Sequence, residues 1–229
     1  MKKLFAALIG ILIILPALGN EYKLFSPDKE TEVLVTVNTG ISIKANHQSS
    51  PLFSIDDISL DIKGKHLKTE IEQIKTESRN SVDRMIYPEI QEKYDKIRDH
   101  YNELLLEYKG DFSLTIRAYN NGIAYRFNTT FDEDIIVNRE NFNLQFNQED
   151  SIYVQKSETF NSSYETPYEH SAVKDITSEG YCCLPALVQK QNGMNVVITE
   201  SNLVDYPGLW LKATGTSTLK SANPGYPVS

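Results

Sequence analysis

The chain has 229 residues, of which 40% are hydrophobic and 24% charged, enough for one large domain and too apolar for disorder along its whole length. Lys and Arg total 23 against 31 Asp and Glu, a net charge of −8. The basic residues are scattered among acids, so no phosphate-neutralising patch is formed and a nucleic-acid partner is excluded.

Met1, Lys2 and Lys3 precede an uncharged run from Leu4 to Leu18 and a small-residue site at Ala17 to Gly19. This order matches an export signal, residues 1–19, cleaved after Gly19. The run contains Gly10 and Pro16 and is too short to cross a bilayer as a helix. The mature domain is therefore expected to be residues 20–229, released to the periplasm or beyond, with no membrane span after cleavage.

From Glu32 onward the pattern has period two. Val33, Val35 and Val37 alternate with Leu34, Thr36 and Asn38, and further β-rich runs cover 41–45, 52–55 and 58–62; these predict strands. Asn38-Thr39-Gly40, Ser49-Ser50-Pro51 and Asp56-Asp57 are the turn formers between them. Residues 65–100 read equally as a short helix or an exposed strand around Thr69 to Glu77, and Pro88 forbids one long helix.

Tyr101 to Tyr108 and Phe112 to Tyr119 predict neighbouring strands, and Phe112 to Thr129 a hairpin whose Asn121-Gly122 adopts the positive φ of tight turns. Phe142 to Phe146 and Ser151 to Gln155 read as strands, 161–177 as a polar loop, and Leu184 to Thr199 as a second hairpin around Asn192-Gly193. The tail from Ala213 has no hydrophobic period. The whole pattern predicts an all-β antiparallel sandwich.

Chemistry-bearing residues are sparse. Cys182 and Cys183 are neighbours and cannot staple separate segments; they are expected to be small apolar fillers. His47, His66, His100 and His170 are far apart in sequence and read as surface or hydrogen-bonded histidines. Tyr153, Tyr164, Tyr168, Tyr181, Tyr206 and Trp210 are expected to pack in the core. No phosphate loop, dinucleotide fingerprint, zinc-ligand pattern or nucleophile elbow is present, and no complete catalytic set is visible.

Five segments, in order, resemble the amino-terminal domain of glycoside hydrolase family 97: Leu24 to Asp28 (LFSPD), Lys96 to Leu104 (KIRDHYNEL), Ile116 to Phe127 (IRAYNNGIAYRF), Tyr164 to Tyr168 (YETPY) and Val197 to Leu209 (VITESNLVDYPGL). The resemblance implies a large sandwich similar to the galactose-mutarotase fold, in an exported enzyme that cuts α-glucosidic or α-galactosidic bonds. It implies a (β/α)8 barrel as the sandwich's partner, which carries the cleaving carboxylates and is absent from these residues. It further implies that Glu165 helps to hold a calcium ion near an α-linked oligosaccharide, and that Glu200 and Asp205 fix a turn or the barrel interface. No hydrolase activity is expected of this chain alone. The competing reading is a stand-alone module that binds saccharide or docks on a partner without cutting.

Overall fold

The computed structural model describes residues 20–65, 67 and 69–225; the expected leader, residues 1–19, and His66 lie outside them. In chain order the strands are β1 Asn20–Phe25, β2 Thr31–Val37, β3 Ile41–His47, β4 Ser50–Ile62, β5 Ile74–Ile86, β6 Ile97–Tyr108, β7 Phe112–Tyr119, β8 Gly122–Thr129 and β9 Val137–Gln145. They continue as β10 Ser151–Val154, β11 Lys156–Ser157, β12 Glu169–Ala172, β13 Tyr181–Cys182, β14 Ala186–Gln189, β15 Asn195–Ile198, β16 Trp210–Ala213 and β17 Thr218–Ala222. The helical pieces among the described residues are two 3-10 turns, Ile71–Gln73 and Val173–Asp175.

A nine-stranded sheet runs β1-β2-β3-β4-β9-β17-β16-β13-β11, and two four-stranded sheets run β5-β6-β7-β8 and β12-β10-β14-β15. All named pairs are antiparallel. One hydrophobic cluster draws Val33, Val35 and Ile43 from the large sheet, Leu104, Leu114 and Ile116 from the second, and Ile152 and Val188 from the third. The predicted all-β sandwich is thus a large sheet facing two smaller ones. Strict alternation builds it: every second residue of β2 and of β7 is buried, as a pleated strand with one face in the core requires.

Four local readings are corrected. The Asp56-Asp57 turn is a bulge inside one long strand, β4, where Asp57 takes φ 57° and the register with β9 shifts. Asn143 donates to Asp57 and Gln145 to Asp56 across the strands, so the two aspartates hold the strand to its neighbour instead of reversing it. At Asn120-Asn121 neither asparagine nor Gly122 has a positive φ; Gly122 already pairs with Tyr119, and Asn120 Oδ1 accepts the Asp28 N–H at 3.2 Å. The second hairpin does follow the expectation, with Gly193 at φ 84°.

The polar loop 161–177 contains β12, an edge strand too short to show a period. The aperiodic tail contains the end of β16 and all of β17, which inserts between β16 and β9 with Leu219 buried. Five residues with one large apolar side chain carry little periodic signal, and sheet pairing decides the outcome. The ambiguous segment 65–100 resolves as the exposed strand β5, paired with β6 from Ile74 to Ile86. Arg98 forks onto Asp83 with two contacts of 2.7 Å, and Arg84 meets Asp99 at 3.0 Å; charge of both signs along an outer strand disfavours edge-to-edge association.

Candidate functional site

Two irregular segments meet at the β11-β13-β16 end of the large sheet. Residues 158–168 leave β11, and 199–209 lead into β16. The contact between them is aromatic. Trp210 is buried, with its ring edge-on to Phe160 at 5.7 Å and to Tyr181 at 6.4 Å, while Phe160 and Tyr181 stack at 3.9 Å. Tyr164 lies 5.7 Å from Trp210 at an interplanar angle of 35° and remains 51% exposed.

The first segment is tied down through its backbone. Gln155 Nε2 donates to Tyr164 O at 3.2 Å and Thr166 O at 2.5 Å, Tyr164 N donates to Ser162 Oγ at 3.1 Å, and Thr166 Oγ1 donates to Lys156 O at 3.3 Å. Lys156 Nζ donates in turn to Thr177 O and Glu179 O at 2.9 and 2.8 Å. These bonds hold Tyr164 at φ 58°, a conformation uncommon for a bulky residue. Beneath them Gly180, at φ 67°, passes so close to Ser157 that an added Cβ would lie 2.4 Å from its carbonyl oxygen. Only glycine fits there.

The second segment is fixed by carboxylates. Both oxygens of Glu200 accept the Leu209 N–H, at 2.9 and 2.8 Å, which matches the turn-fixing role expected of it. Burial raises the Glu200 carboxyl above its ordinary range, opposed by that N–H and reinforced by the Glu140 charge. Tyr206 donates from its hydroxyl to Glu140 Oε2 at 2.9 Å. Burial also pushes up the phenols of Tyr206 and Tyr125, both of which face Glu140. Asp205 is exposed at φ 53° in the same segment.

Of the site residues predicted from sequence, Glu165 is exposed at the crest of the first segment beside Tyr164. Calcium takes six to eight oxygens. Among the described residues no three His, Cys, Asp or Glu stand together in reach of one metal ion, so these residues do not fit a calcium cage by themselves. The described histidines are separated: His47 Nδ1 is 3.0 Å from Thr31 Oγ1, His100 lies in β6, and His170 stacks on Tyr153 at 4.0 Å. Cys182 and Cys183 are free and buried as expected, and burial pushes the Cys182 thiol up to about 11.

Core packing describes Trp210 and fails for Tyr164, Tyr168 and Tyr206, which are exposed. Sequence reasoning missed the Gln155 clasp and the aromatic stack, because both join residues far apart along the chain. A hollow of about 370 Å³ lies elsewhere, on the outer face of the large sheet, lined by Asp57, Arg139, Asn141 and Lys220. It is polar, unlike the mostly apolar walls of a typical small-molecule pocket.

Residues 24–227 match the family described as Glycosyl-hydrolase 97 N-terminal. Over 238 aligned positions the chain is 31% identical to a retaining alpha-galactosidase of Bacteroides thetaiotaomicron, covering 99% of this chain and 36% of that enzyme. The chain therefore spans about a third of the length of this curated relative. Among solved structures, a glycoside hydrolase family 97 enzyme of Pseudoalteromonas sp. strain K8 in complex with acarbose superposes with a TM-score of 0.75 at 16% identity, over 88% of this chain and 32% of that one. A variant of the same enzyme in complex with panose gives the same score. At that identity the likeness establishes the fold. Among the described residues no helix is long and apolar enough to cross a membrane.

Proposed function

Because the chain belongs to the glycosyl hydrolase 97 N-terminal family, we propose that it is the carbohydrate-associated sandwich of an exported α-glycosidase. It forms one wall of the active site and leaves bond cleavage to a (β/α)8 barrel supplied outside these residues. The observation that carries this reading is the coverage: this chain aligns almost end to end with only 36% of a retaining alpha-galactosidase. Glycoside hydrolysis needs two carboxyl groups across the scissile bond, roughly 5 to 9.5 Å apart. Glu200 and its neighbour Glu140 are already engaged by Leu209 N–H and by Tyr206.

In this reading the crest 158–168 and the turn 199–209 face the barrel and an α-linked oligosaccharide. Glu165 contributes one oxygen to a calcium ion whose remaining donors come from the barrel. Leu203 and Val204, exposed in the 199–209 turn, suit a face that is covered in the whole enzyme. The leader of residues 1–19 delivers the domain to the periplasm.

The test is turnover of nitrophenyl α-glucoside and α-galactoside by the purified 229-residue chain. None is expected; hydrolysis abolished by Glu165→Gln would overturn the reading. Calcium titration by calorimetry should give no tight binding, and a submicromolar site in this chain would contradict the single-donor role.

A further inference from the structure

We propose that Tyr164 is a saccharide-stacking residue, presenting one face of its ring to a pyranose unit of an α-linked oligosaccharide. The inference rests on the wall reading above and deepens it by naming a contact. Nothing in a core explains this side chain: its ring is 51% exposed although it belongs to a cluster whose central member, Trp210, is 4% exposed. Single exposed rings are ordinary, but this one is held in a backbone conformation that costs free energy to maintain, and such strain clusters at functional sites. The residue sits at φ 58°, and four hydrogen bonds involving Gln155, Ser162, Thr166 and Lys156 hold the segment in place.

The ring is also braced from behind. Tyr164 leans on Trp210, which is wedged edge-on against the Phe160 and Tyr181 pair. A flat face fixed before the ligand arrives loses little rotamer freedom on binding, which is what gives a preorganised contact its affinity. The axial C–H groups of a pyranose present an apolar, electropositive face, and an aromatic ring with its negative π-surface complements it. Glu165 follows directly in the chain and Glu200 lies close enough to raise the Tyr164 phenol, after burial and Cys183. Glu165, exposed and next to Tyr164 in the chain, is an acceptor open to a sugar hydroxyl. The immediate neighbours of Tyr164 on the crest, Ser163, Glu165 and Thr166, are polar, as suits a sugar ligand.

The chain contains one tryptophan, and it touches Tyr164, so Trp210 emission reports occupancy directly. The experiment titrates the 229-residue chain with panose and with an α-galactoside disaccharide, following Trp210 fluorescence and saturation transfer to the sugar protons. Three proteins are compared: wild type, Tyr164→Phe, and Tyr164→Asn. Asparagine tolerates the left-handed backbone, so the last variant removes the ring and keeps the loop, and thermal melting with circular dichroism verifies that it is folded. Millimolar binding of at least one sugar is expected for wild type, near-equal binding for Tyr164→Phe, and about tenfold weaker binding for Tyr164→Asn.

Absence of any sugar response in wild type overturns the proposal, as does a Tyr164→Asn protein that binds like wild type. Either result leaves the wall reading standing. Hydrolysis by the chain alone would remove the wall reading while a Tyr164-dependent response still supported stacking.

Discussion

Lys190 Nζ lies 2.5 Å from Asp150 Oδ2, with the two side chains only 8% and 1% exposed. The same ammonium donates to Leu52 O at 2.7 Å, and Asp150 also accepts the Asn147 N–H at 2.9 Å. Lys190 follows β14 and Leu52 lies in β4, so this buried pair bolts the third sheet to the large one.

Removing one member leaves the other charge buried without its counterpart, which costs about 3–5 kcal/mol. Lys190→Met and Asp150→Asn are each expected to lower the urea midpoint strongly. The double variant should lose less than the two single losses combined. Additive losses in a double-mutant cycle would show that the pair is not coupled.

Gly180→Ala is expected to destabilise by about 1–3 kcal/mol, because alanine is strained at φ 67° and its Cβ meets Ser157 O. Ser157 opens the crest segment, so the variant should also shift Trp210 emission. A wild-type midpoint with unchanged emission would refute this account of the crest's anchoring.

Glu200→Gln tests the electrostatics of the 199–209 turn. Burial holds the Glu200 carboxyl above its ordinary value, so deprotonation is penalised in the folded state. The associated stability is present below the unfolded carboxylate pKa and is lost as pH rises through the folded one. Glutamine keeps an acceptor for Leu209 N–H and carries no charge. The variant should therefore gain in Tm relative to wild type as pH rises from about 4 to 7. A Tm difference that does not vary with pH would contradict the assignment.

The sandwich was legible wherever both faces of a strand declare themselves. Val33, Val35 and Val37 alternate with more polar neighbours, as do Leu114 and Ile116, and all five are buried. β12 and β17 were not legible, because four or five residues hold too few inward positions to reveal a period. Asp56 and Asp57 misled for a different reason: aspartate favours turns through local hydrogen bonds, and here Asn143 and Gln145 capture those side chains across the sheet. Glu165 and Glu200 could be singled out by family resemblance. Gln155, Gly180 and the bracing of Tyr164 by Trp210 could not, since each acts through partners that only the tertiary fold brings near.

The placement of β17 has a consequence for how the molecule comes into being. Thr218, Leu219 and Lys220 pair with β9 on one side while Lys212 and Ala213 pair on the other, so one of the last segments of the described chain occupies the middle of the broadest layer. Until it arrives, β9 has a bare flank and the β16-β13-β11 end, with the crest that carries Tyr164 and Glu165, has nothing to dock on. Joining the two parts of the large sheet is thus a long-range closure, the kind of contact that slows folding. A nascent polypeptide stopped short of residue 218 would hold most of the apolar interior with β9 still unpaired on that side.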